Sequence, residues 1–279
     1  MISNYSQITV NSNLNRLVEW FSEFDSCIVA FSAGVDSSLL AYAAYKALRE
    51  KAIAVTSISP SFASSELEGS RKTAAEIGIS LIEVGQDDLS DTDYTKNDVS
   101  RCYFCRSNLA AAIRPVQLQF SVEVCVDGTH LDDLKKPRPG VKALRENGFR
   151  APLAELHFSK SDIREMAKYS GLSNWNRPSE SCLSSRVAYG QQISLETLER
   201  IELAEKIVKS LTQAQIVRVR TINNRAVVEV DTASIPSALE KAQEISAKLQ
   251  QLGYEKVEID PGGYVSGNML ELFVNSIEK

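Results

Sequence analysis

The run Phe-Ser-Ala-Gly-Val-Asp-Ser-Ser at residues 31–38 decides the fold, because it joins two segments of different periodicity. The apolar, β-prone residues 27–30 precede it, and residues 39–48 form an apolar helical pattern after it. Small side chains let backbone N–H groups approach an anion, and the unpaired N–H groups and positive dipole end of the first helical turn attract negative charge. The residues expected to bind a phosphate are Ser32, Gly34, Asp36, Ser37 and Ser38.

This stretch resembles the pyrophosphate-binding loop of the N-type ATP pyrophosphatases, whose usual form is Ser-Gly-Gly-x-Asp-Ser. It is not a Walker loop, because the Gly-Lys-Ser/Thr ending is missing. Ala33 stands where the pattern usually has its first glycine. A methyl group is tolerable there if φ is negative, but it would crowd the phosphate in a left-handed conformation. An ordinary turn with Asp36 or Ser37 as the helix N-cap is the alternative.

Length and composition predict a globular chain of two domains. The chain has 279 residues, 43% of them apolar, and a net charge of -5. The acidic balance argues against a surface dominated by nucleic-acid binding. No basic segment followed by an apolar one opens the chain, and no run reaches the length of a membrane span, so we expect no membrane partner and a cytoplasmic location.

Strand and helix patterns alternate along the first part of the chain. Strands are predicted at 52–58, 81–84 and 122–127, with helices between them, and residues 86–101 are expected to form a polar surface loop. In open α/β sheets, ligands lie beyond the carboxyl ends of the strands. Thr56, Gly128 and Thr129 are therefore further candidate nucleotide contacts, and His130 is expected to be a polar loop residue rather than a base.

The five cysteines are expected to be free thiols or ligands, as in a reducing compartment. Cys27 and Cys125 fall inside predicted strands and are expected to be buried. Cys102 and Cys105 form a Cys-x-x-Cys pair at the start of a helix that runs to about residue 114. The pair can reach one metal or cluster, although a tetrahedral zinc site needs four ligands, and a thioredoxin-type redox pair lacks its usual context.

The fifth cysteine, Cys182, lies in a polar loop at 175–186. Arg177 and Arg186 are near it in sequence and could stabilise a thiolate or bind phosphate. Three segments together resemble the LarE family of ATP-dependent sulfur transferases. They are the phosphate-binding run, the segment 127–140 with its Asp-Gly-Thr-x-x-Asp-Asp and Arg-Pro-Gly, and Pro-Ser-x-x-Cys-Leu-Ser-Ser-Arg at 178–186, which is followed by Tyr-Gly.

The resemblance implies a fold, a reaction and a set of catalytic residues. The fold is an adenine-nucleotide α-hydrolase-like parallel sheet with helices on both faces. The reaction uses ATP and Mg²⁺ to adenylate the carboxylates of pyridinium-3,5-biscarboxylic acid mononucleotide and converts them to thiocarboxylates for the nickel-pincer nucleotide cofactor of lactate racemase. The catalytic candidates are Cys182, Asp36 and Arg186.

Two sulfur sources fit the residues. Cys182 could give up its own sulfur and become dehydroalanine. Alternatively Cys102, Cys105 and Cys182 could hold three irons of a [4Fe-4S] cluster whose fourth iron carries an exchangeable sulfide. We favour the cluster, because the Cys-x-x-Cys pair is otherwise unexplained; zinc at the same residues is the remaining option.

The C-terminal region predicts a small α+β domain with the order αββαβ. We expect residues 1–190 to form the ATP pyrophosphatase domain and residues 191–279 a substrate-binding and oligomerisation domain. Arg218 and Arg220 alternate onto one face of a predicted strand, where they could clamp a substrate phosphate, although solvated strand charges are the alternative. Glu202 and Glu229 are weaker candidates for magnesium or nickel contacts, and the family commonly forms homo-oligomeric rings.

Other functions remain open at this stage. A tRNA thiolase can pair the same type of loop with three cysteines, but it usually carries a more basic surface. A generic ATP-pyrophosphatase amide synthetase needs no cysteine cluster. A non-catalytic ATP-binding or cluster-binding scaffold gains weight from Ala33.

Overall fold

A computed structural model describes residues 4–135, 138–178 and 181–265 of the chain. The helices in these ranges are α1 Asn4–Ser22, α2 Val35–Leu48, α3 Ser64–Ile77, α4 Thr92–Thr95, α5 Arg101–Gln119, α6 Pro139–Glu146, α7 Pro152–Glu155, α8 Lys160–Tyr169, α9 Leu195–Thr212, α10 Ile235–Glu240 and α11 Ala242–Gln251. The strands are β1 Cys27–Ala30, β2 Ala52–Ile58, β3 Ser80–Gly85, β4 Val124–Val126, β5 Val217–Ile222, β6 Arg225–Val230 and β7 Lys256–Ile259.

The chain divides into two compact units. The first unit contains residues 1–87 and 102–180, and the second contains residues 88–101 and 181–279. The chain therefore passes from one unit to the other three times. This division differs from the single boundary at 190/191 that was predicted from the sequence. The functions predicted for the two domains stay predictions.

The first unit is built on a four-stranded sheet in the order β3-β2-β1-β4, with every neighbouring pair parallel. Alternate residues of the central strands enter different cores. Cys27 and Val29 pack with α1 and α2, whereas Ile28 packs with α5 on the opposite face. The predicted parallel sheet with helices on both faces is confirmed. Strands β1, β2 and β4 are mostly buried, as continuous apolar runs require, whereas the edge strand β3 is partly exposed.

The second unit is built on a three-stranded mixed sheet in the order β5-β6-β7. The β5–β6 pair is an antiparallel hairpin, and β7 pairs with β6 in parallel. The predicted αββαβ order is confirmed, but the single helix predicted over 235–252 is two helices that meet at Lys241. Lys241 leaves the helical conformation, and its ammonium donates to the carbonyl of Leu211.

The prediction that residues 86–101 form a surface loop with at most broken helix is right about the broken helix but wrong about the exposure of several polar residues. The segment forms only short helical turns, but Asp88, Tyr94, Asn97 and Arg101 are each at most 5% exposed. Long-range hydrogen bonds compensate the burial of such polar groups. The Asn97 side-chain amide, for example, donates to the carbonyls of residues 187, 188 and 191. A polar composition does not reveal such partners. Residues 266–279 of the predicted oligomerisation domain lie outside the described residues.

Within the part of the chain that the structure describes, no helix is long and apolar enough to cross a membrane.

The two strand cysteines should resist alkylation in the native protein. Burial raises the pKa of Cys125 to about 11 and that of Cys27 well above its usual value. At pH 8 a thiol with a pKa of 11 is about 0.1% thiolate, and the thiolate is the reactive form. Iodoacetamide treatment of the metal-free native protein, followed by peptide mass spectrometry, should label Cys102, which is exposed, and leave Cys27 and Cys125 unmodified.

The same labelling in concentrated urea is the control and should modify all five cysteines. Native labelling of Cys27 or Cys125 as fast as that of Cys102 would contradict the packing described here.

Candidate functional site

The phosphate loop, residues 31–38, begins where β1 ends and is held against β2 from its first residue. The N–H of Phe31 donates to the carbonyl of Val55 at 2.8 Å, and the Thr56 hydroxyl donates to the carbonyl of Phe31 at 2.8 Å. Thr56 is fully buried, so its side chain contributes to the position of the loop. The predicted contact of Thr56 with a nucleotide stays a prediction.

The helix that follows the loop begins without a side-chain cap. Gly34 is the N-cap residue of α2, not Asp36 or Ser37, and the first helical hydrogen bond runs from the N–H of Ser38 to the carbonyl of Gly34 at 2.9 Å. The N–H groups of the first turn precede the intrahelical bonding pattern. The Ser37 hydroxyl donates to the carbonyl of Gly34 and accepts from the N–H of Ser32, each at 3.2 Å. The loop thus combines a fixed backbone with a helix N-terminus that has no side-chain cap.

Ala33 adopts a left-handed conformation, with φ of 53°. For a non-glycine residue this costs about 1–2 kcal/mol. The residue is only 1% exposed and its methyl group belongs to the hydrophobic core. Because this methyl group is buried in the core, it would not crowd an anion that approaches from solvent. The consequence of the alanine is strain in its own backbone.

Asn174 offsets that strain and was not identified from the sequence. Its side-chain nitrogen donates to the carbonyl of Ala33 and to the hydroxyl of Ser38, both at 2.8 Å. Each such bond contributes about 0.5–1.5 kcal/mol. The two partners lie 141 and 136 residues away in the chain, and no local pattern around Asn174 signals them.

Asp36 is paired with a second residue that sequence reasoning missed. The Lys160 ammonium lies 2.6 Å from both carboxylate oxygens of Asp36, and both side chains are about three-quarters shielded from solvent. Lys160 opens α8, and its backbone N–H donates to Asp132 at 2.8 Å. A cation at a helix N-terminus opposes the helix dipole, which is the signal that could have marked Lys160. The pair places a movable positive charge beside the phosphate loop.

Gly128 brings the end of β4 against the first turn of α2. A Cβ atom at this position would lie 3.1 Å from the Cβ of Asp36 and 3.4 Å from the nitrogen of Ser37. The next residue, Thr129, donates its N–H to Asp127 at 2.7 Å, and its hydroxyl donates to the same oxygen. Burial raises the pKa of Asp127, although these two hydrogen bonds act in the opposite direction. Gly128 is therefore next to the phosphate loop, and the predicted contacts of Gly128 and Thr129 with a nucleotide stay predictions.

His130 and the acidic pair complete this edge of the sheet. His130 is 8% exposed, and its Nε2 lies 3.4 Å from Asp133. Asp133 also pairs with Arg138 at 2.8 Å. The Arg-Pro-Gly motif therefore begins with a residue that ties α6 to this edge.

The Cys-x-x-Cys pair lies in the first turn of α5, as predicted. Cys102 is exposed and Cys105 half-buried. The side-chain amide of Gln86 donates to the carbonyl of Cys105 at 3.0 Å. Gly140 lets α6 approach closely, because a Cβ there would lie 3.2 Å from the carbonyl oxygen of Cys102. Neither residue is in a disulfide, and both are at least partly exposed to solvent.

Cys182 belongs to the second unit and precedes a short helical turn at 183–186. Arg186 holds this turn through hydrogen bonds to its backbone. Its guanidinium is 3% exposed, donates to the carbonyl of Cys182 at 2.7 Å, and pairs with Glu205 at 2.8 Å. Arg186 also donates to the hydroxyl groups of Ser181 and Ser185, at 3.0 and 3.1 Å. Its predicted catalytic role stays a prediction.

The segment 88–101 holds the same turn from another side. The Tyr94 hydroxyl lies 2.5 Å from the Ser184 hydroxyl, and the Arg101 guanidinium donates to the carbonyl of Ser184 at 2.8 Å. Arg101 also donates to Asn97 at 2.5 Å. Residues 88–101 are therefore joined by buried hydrogen bonds to Ser184, two residues after Cys182.

The two strand arginines are buried, so the alternative of solvated strand charges is wrong. Arg220 pairs with the fully buried Glu229 at 2.9 Å and donates to the carbonyl of Ser185 at 3.1 Å. Arg218 lies over the ring of Tyr264, with 5.3 Å from its guanidinium carbon to the ring centroid. The predicted phosphate-clamping role of both arginines stays a prediction.

The candidate metal residues are found in different surroundings. Glu202 pairs with Lys206 at 3.0 Å, and Glu229 is engaged by Arg220. Cys102 and Cys105 belong to the first unit and Cys182 to the second. Among the residues described, no group of three or more His, Cys, Asp or Glu side chains is arranged to hold a metal ion.

The fold and this edge of the sheet define a parallel α/β protein with a turn of small residues between its first strand and the following helix. The chain is 32% identical over 262 residues to the pyridinium-3,5-bisthiocarboxylic acid mononucleotide synthase of Lactiplantibacillus plantarum, a match that covers 94% of this chain and 95% of the synthase. The chain belongs to the family of this synthase, which is the LarE family.

Two further relatives are uncharacterised proteins. One, from Synechocystis, is 38% identical over 93% of this chain and 97% of its own length. The other, from Methanocaldococcus jannaschii, is 29% identical over 88% of this chain and 93% of its own length. No family model matches the chain. The matched relatives span both units, so the whole chain shares one ancestry.

Replacing Glu205 should loosen the Cys182 turn and destabilise the protein. Glu205→Gln leaves the buried guanidinium of Arg186 without its counter-charge, and removing one partner of such a pair costs about 2 kcal/mol or more. Urea unfolding followed by circular dichroism should show this loss. The matched control is Glu199→Gln on the exposed face of the same helix, which should change the free energy of unfolding by less than roughly 0.5 kcal/mol. Equal midpoints for the two variants would contradict a structural role for the pair.

Proposed function

We propose that this protein is an ATP-dependent sulfur transferase. It adenylates the carboxylates of pyridinium-3,5-biscarboxylic acid mononucleotide, releases pyrophosphate, and then exchanges AMP for sulfur to give thiocarboxylates. The observation that carries the proposal is the 32% identity to the named synthase over nearly the whole of both chains. The phosphate loop supports it independently, because its geometry suits the pyrophosphate that adenylation releases.

Adenylation needs charge stabilisation at the departing pyrophosphate. A carboxylate is a poor acyl donor until AMP is attached to it, and attack on the α-phosphate moves negative charge onto the leaving group. The N–H groups of the first turn of α2 and the Lys160 ammonium supply fixed and movable positive charge for it. Asp36, whose carboxylate now pairs with Lys160, is the residue that would hold Mg²⁺, which neutralises phosphate charge when bound.

Sulfur transfer is assigned to the region of Cys182. Attack by sulfur on the acyl carbon forms a carbon–sulfur bond and breaks the bond to AMP, which leaves with the electron pair. If the sulfur is that of Cys182, loss of the cysteine α-proton and cleavage of its Cβ–sulfur bond release the thiocarboxylate and leave dehydroalanine. The half-buried thiol, held by a buried Arg186–Glu205 pair, is suited to a defined attack geometry.

The favoured sulfur source remains a cluster-bound sulfide. Cys102, Cys105 and Cys182 are exposed or half-buried and form no disulfide, and thiolates are the ligands that iron–sulfur clusters use. By chemical type the three thiols would supply three of the four ligands of a [4Fe-4S] cluster, although among the described residues no three such side chains are arranged to hold a metal ion. When bound, such a cluster would present exchangeable sulfide, so that no cysteine is consumed.

One experiment separates these routes and tests the function itself. Protein prepared anaerobically is incubated with ATP, Mg²⁺ and the pyridinium dicarboxylate nucleotide, and both the nucleotide and the protein are weighed by mass spectrometry. The proposal predicts AMP, pyrophosphate and a nucleotide in which sulfur has replaced carboxylate oxygen. Formation of no thiocarboxylate by any cysteine-intact preparation would refute it.

The cysteine variants discriminate the sulfur source. The cluster route predicts about four irons per chain, visible absorbance, and loss of both with Cys102→Ala, Cys105→Ala or Cys182→Ala. The sacrificial route predicts colourless protein that loses the mass of hydrogen sulfide, and activity that depends on Cys182 alone. Retained sulfur transfer by Cys182→Ala would exclude both routes.

Replacing Gly128 should weaken ATP binding. The added methyl group of Gly128→Ala would press on Asp36 and Ser37, so the first turn of α2 must shift, and we expect about tenfold weaker binding of ATP with Mg²⁺ by calorimetry. Gly85→Ala is the matched control at the end of β3, where a Cβ meets nothing within 4 Å, and it should bind ATP like the unmodified protein. Unchanged affinity in Gly128→Ala would show that this edge of the sheet does not carry the nucleotide.

A further inference from the structure

We propose that Asn174 is a positioning residue of the phosphate loop: it locks the peptide between Ala33 and Gly34 so that the Gly34 N–H faces an incoming pyrophosphate. This inference rests on the proposed function, which assigns the loop to the pyrophosphate of ATP. Asn174 lies in the segment between α8 and the Cys182 turn and touches neither reacting atom.

The contacts of Asn174 indicate that its donor group is what matters. The residue is 8% exposed, and its amide nitrogen donates to Ala33 and Ser38, both in the phosphate loop. The side-chain oxygen is buried and has no hydrogen-bond partner among the described residues. An unsatisfied buried acceptor is costly, so a side chain serving only to fill this space would be apolar. The feature of Asn174 that the loop uses is therefore its amide nitrogen, which donates both hydrogen bonds.

Holding the carbonyl of Ala33 also orients the next N–H. In a planar trans peptide the C=O of one residue and the N–H of the next point in opposite directions. Because the Ala33 carbonyl is bound by a buried side chain, the Gly34 N–H is directed the other way, and its nearest acceptor is the hydroxyl of the exposed Ser32 at 3.4 Å. This is the solvent side of the loop, from which an anion arrives.

Gly34 permits the flip that such a lock would prevent. Its φ is -70°, and a flip of the preceding peptide would take that angle to about +110°, which glycine adopts readily. The flip would put the Ala33 carbonyl oxygen where the N–H now stands, and two negative groups would then face each other. Asn174 prevents this by binding the carbonyl on the buried side.

The test measures binding of inorganic pyrophosphate by calorimetry to four Asn174 and Gly34 variants. Asn174→Ala should bind about tenfold more weakly than the unmodified protein. Asn174→Asp fills the same volume but presents an oxygen to the Ala33 carbonyl, so it should bind more weakly still. A role in packing alone predicts the opposite order, with the aspartate variant close to the unmodified protein.

A second substitution tests the peptide itself. Alanine at position 34 resists the flipped φ, and its Cβ would meet only the Ser32 hydroxyl, at 3.4 Å. The double variant Gly34→Ala/Asn174→Ala should therefore bind pyrophosphate within threefold of Gly34→Ala, although Asn174→Ala alone loses about tenfold. Asn176→Ala, an exposed asparagine two residues away, is the matched control and should bind like the unmodified protein.

The outcomes separate this inference from the function on which it rests. If the unmodified protein does not bind pyrophosphate, the proposed use of the loop fails. If the unmodified protein binds but folded Asn174→Ala binds equally well, the lock is refuted. Equal losses from Asn174→Ala in both backgrounds, or no binding by Gly34→Ala, would also refute it, because the 33–34 peptide would then not be the element that Asn174 controls.

Discussion

The parallel pairing of β1 with both of its neighbours is the constraint on which the candidate site depends. Val29 pairs with Ala54 of β2 on one side and with Val126 of β4 on the other, so the three strands end at one edge. The parallel register brings three features together at this edge: the phosphate loop, the buried hydroxyl of Thr56 and the backbone at Gly128. The position of the candidate site is therefore set by the pairing of the strands, and side chains act within it.

Local strain at this edge is held by contacts from distant parts of the chain. Ala33 in a left-handed conformation costs about 1–2 kcal/mol, while each hydrogen bond from Asn174 returns about 0.5–1.5 kcal/mol. Lys160 and Asp36 form a second long-range tie, 124 residues apart. The loop is stable only in the folded unit, which is common for segments that must present backbone donors to a ligand.

The sequence carried enough information for the sheet, most helices and the place of the phosphate loop. Those features follow from periodicity and from the small residues between strand and helix, which are local signals. It did not reveal Asn174, Lys160 or the burial of residues 88–101, because their partners are more than 80 residues away. The buried state of Arg218 and Arg220 was likewise hidden, since alternation identifies a common face but not what covers it.

The insertion of residues 88–101 into the second unit also constrains how the polypeptide acquires its structure during translation. Tyr94 and Asn97 leave the ribosome about 90 residues before the Ser184 hydroxyl and the Val187 carbonyl to which they are hydrogen-bonded. Until those later residues are made, these two long-range hydrogen bonds cannot form, and the second unit needs residues 88–101 as well as its C-terminal stretch. Contacts of such sequence separation form slowly, since the loop must close before they give any stabilisation. The turn after Cys182 therefore depends for its position on residues made about 90 positions earlier in the chain.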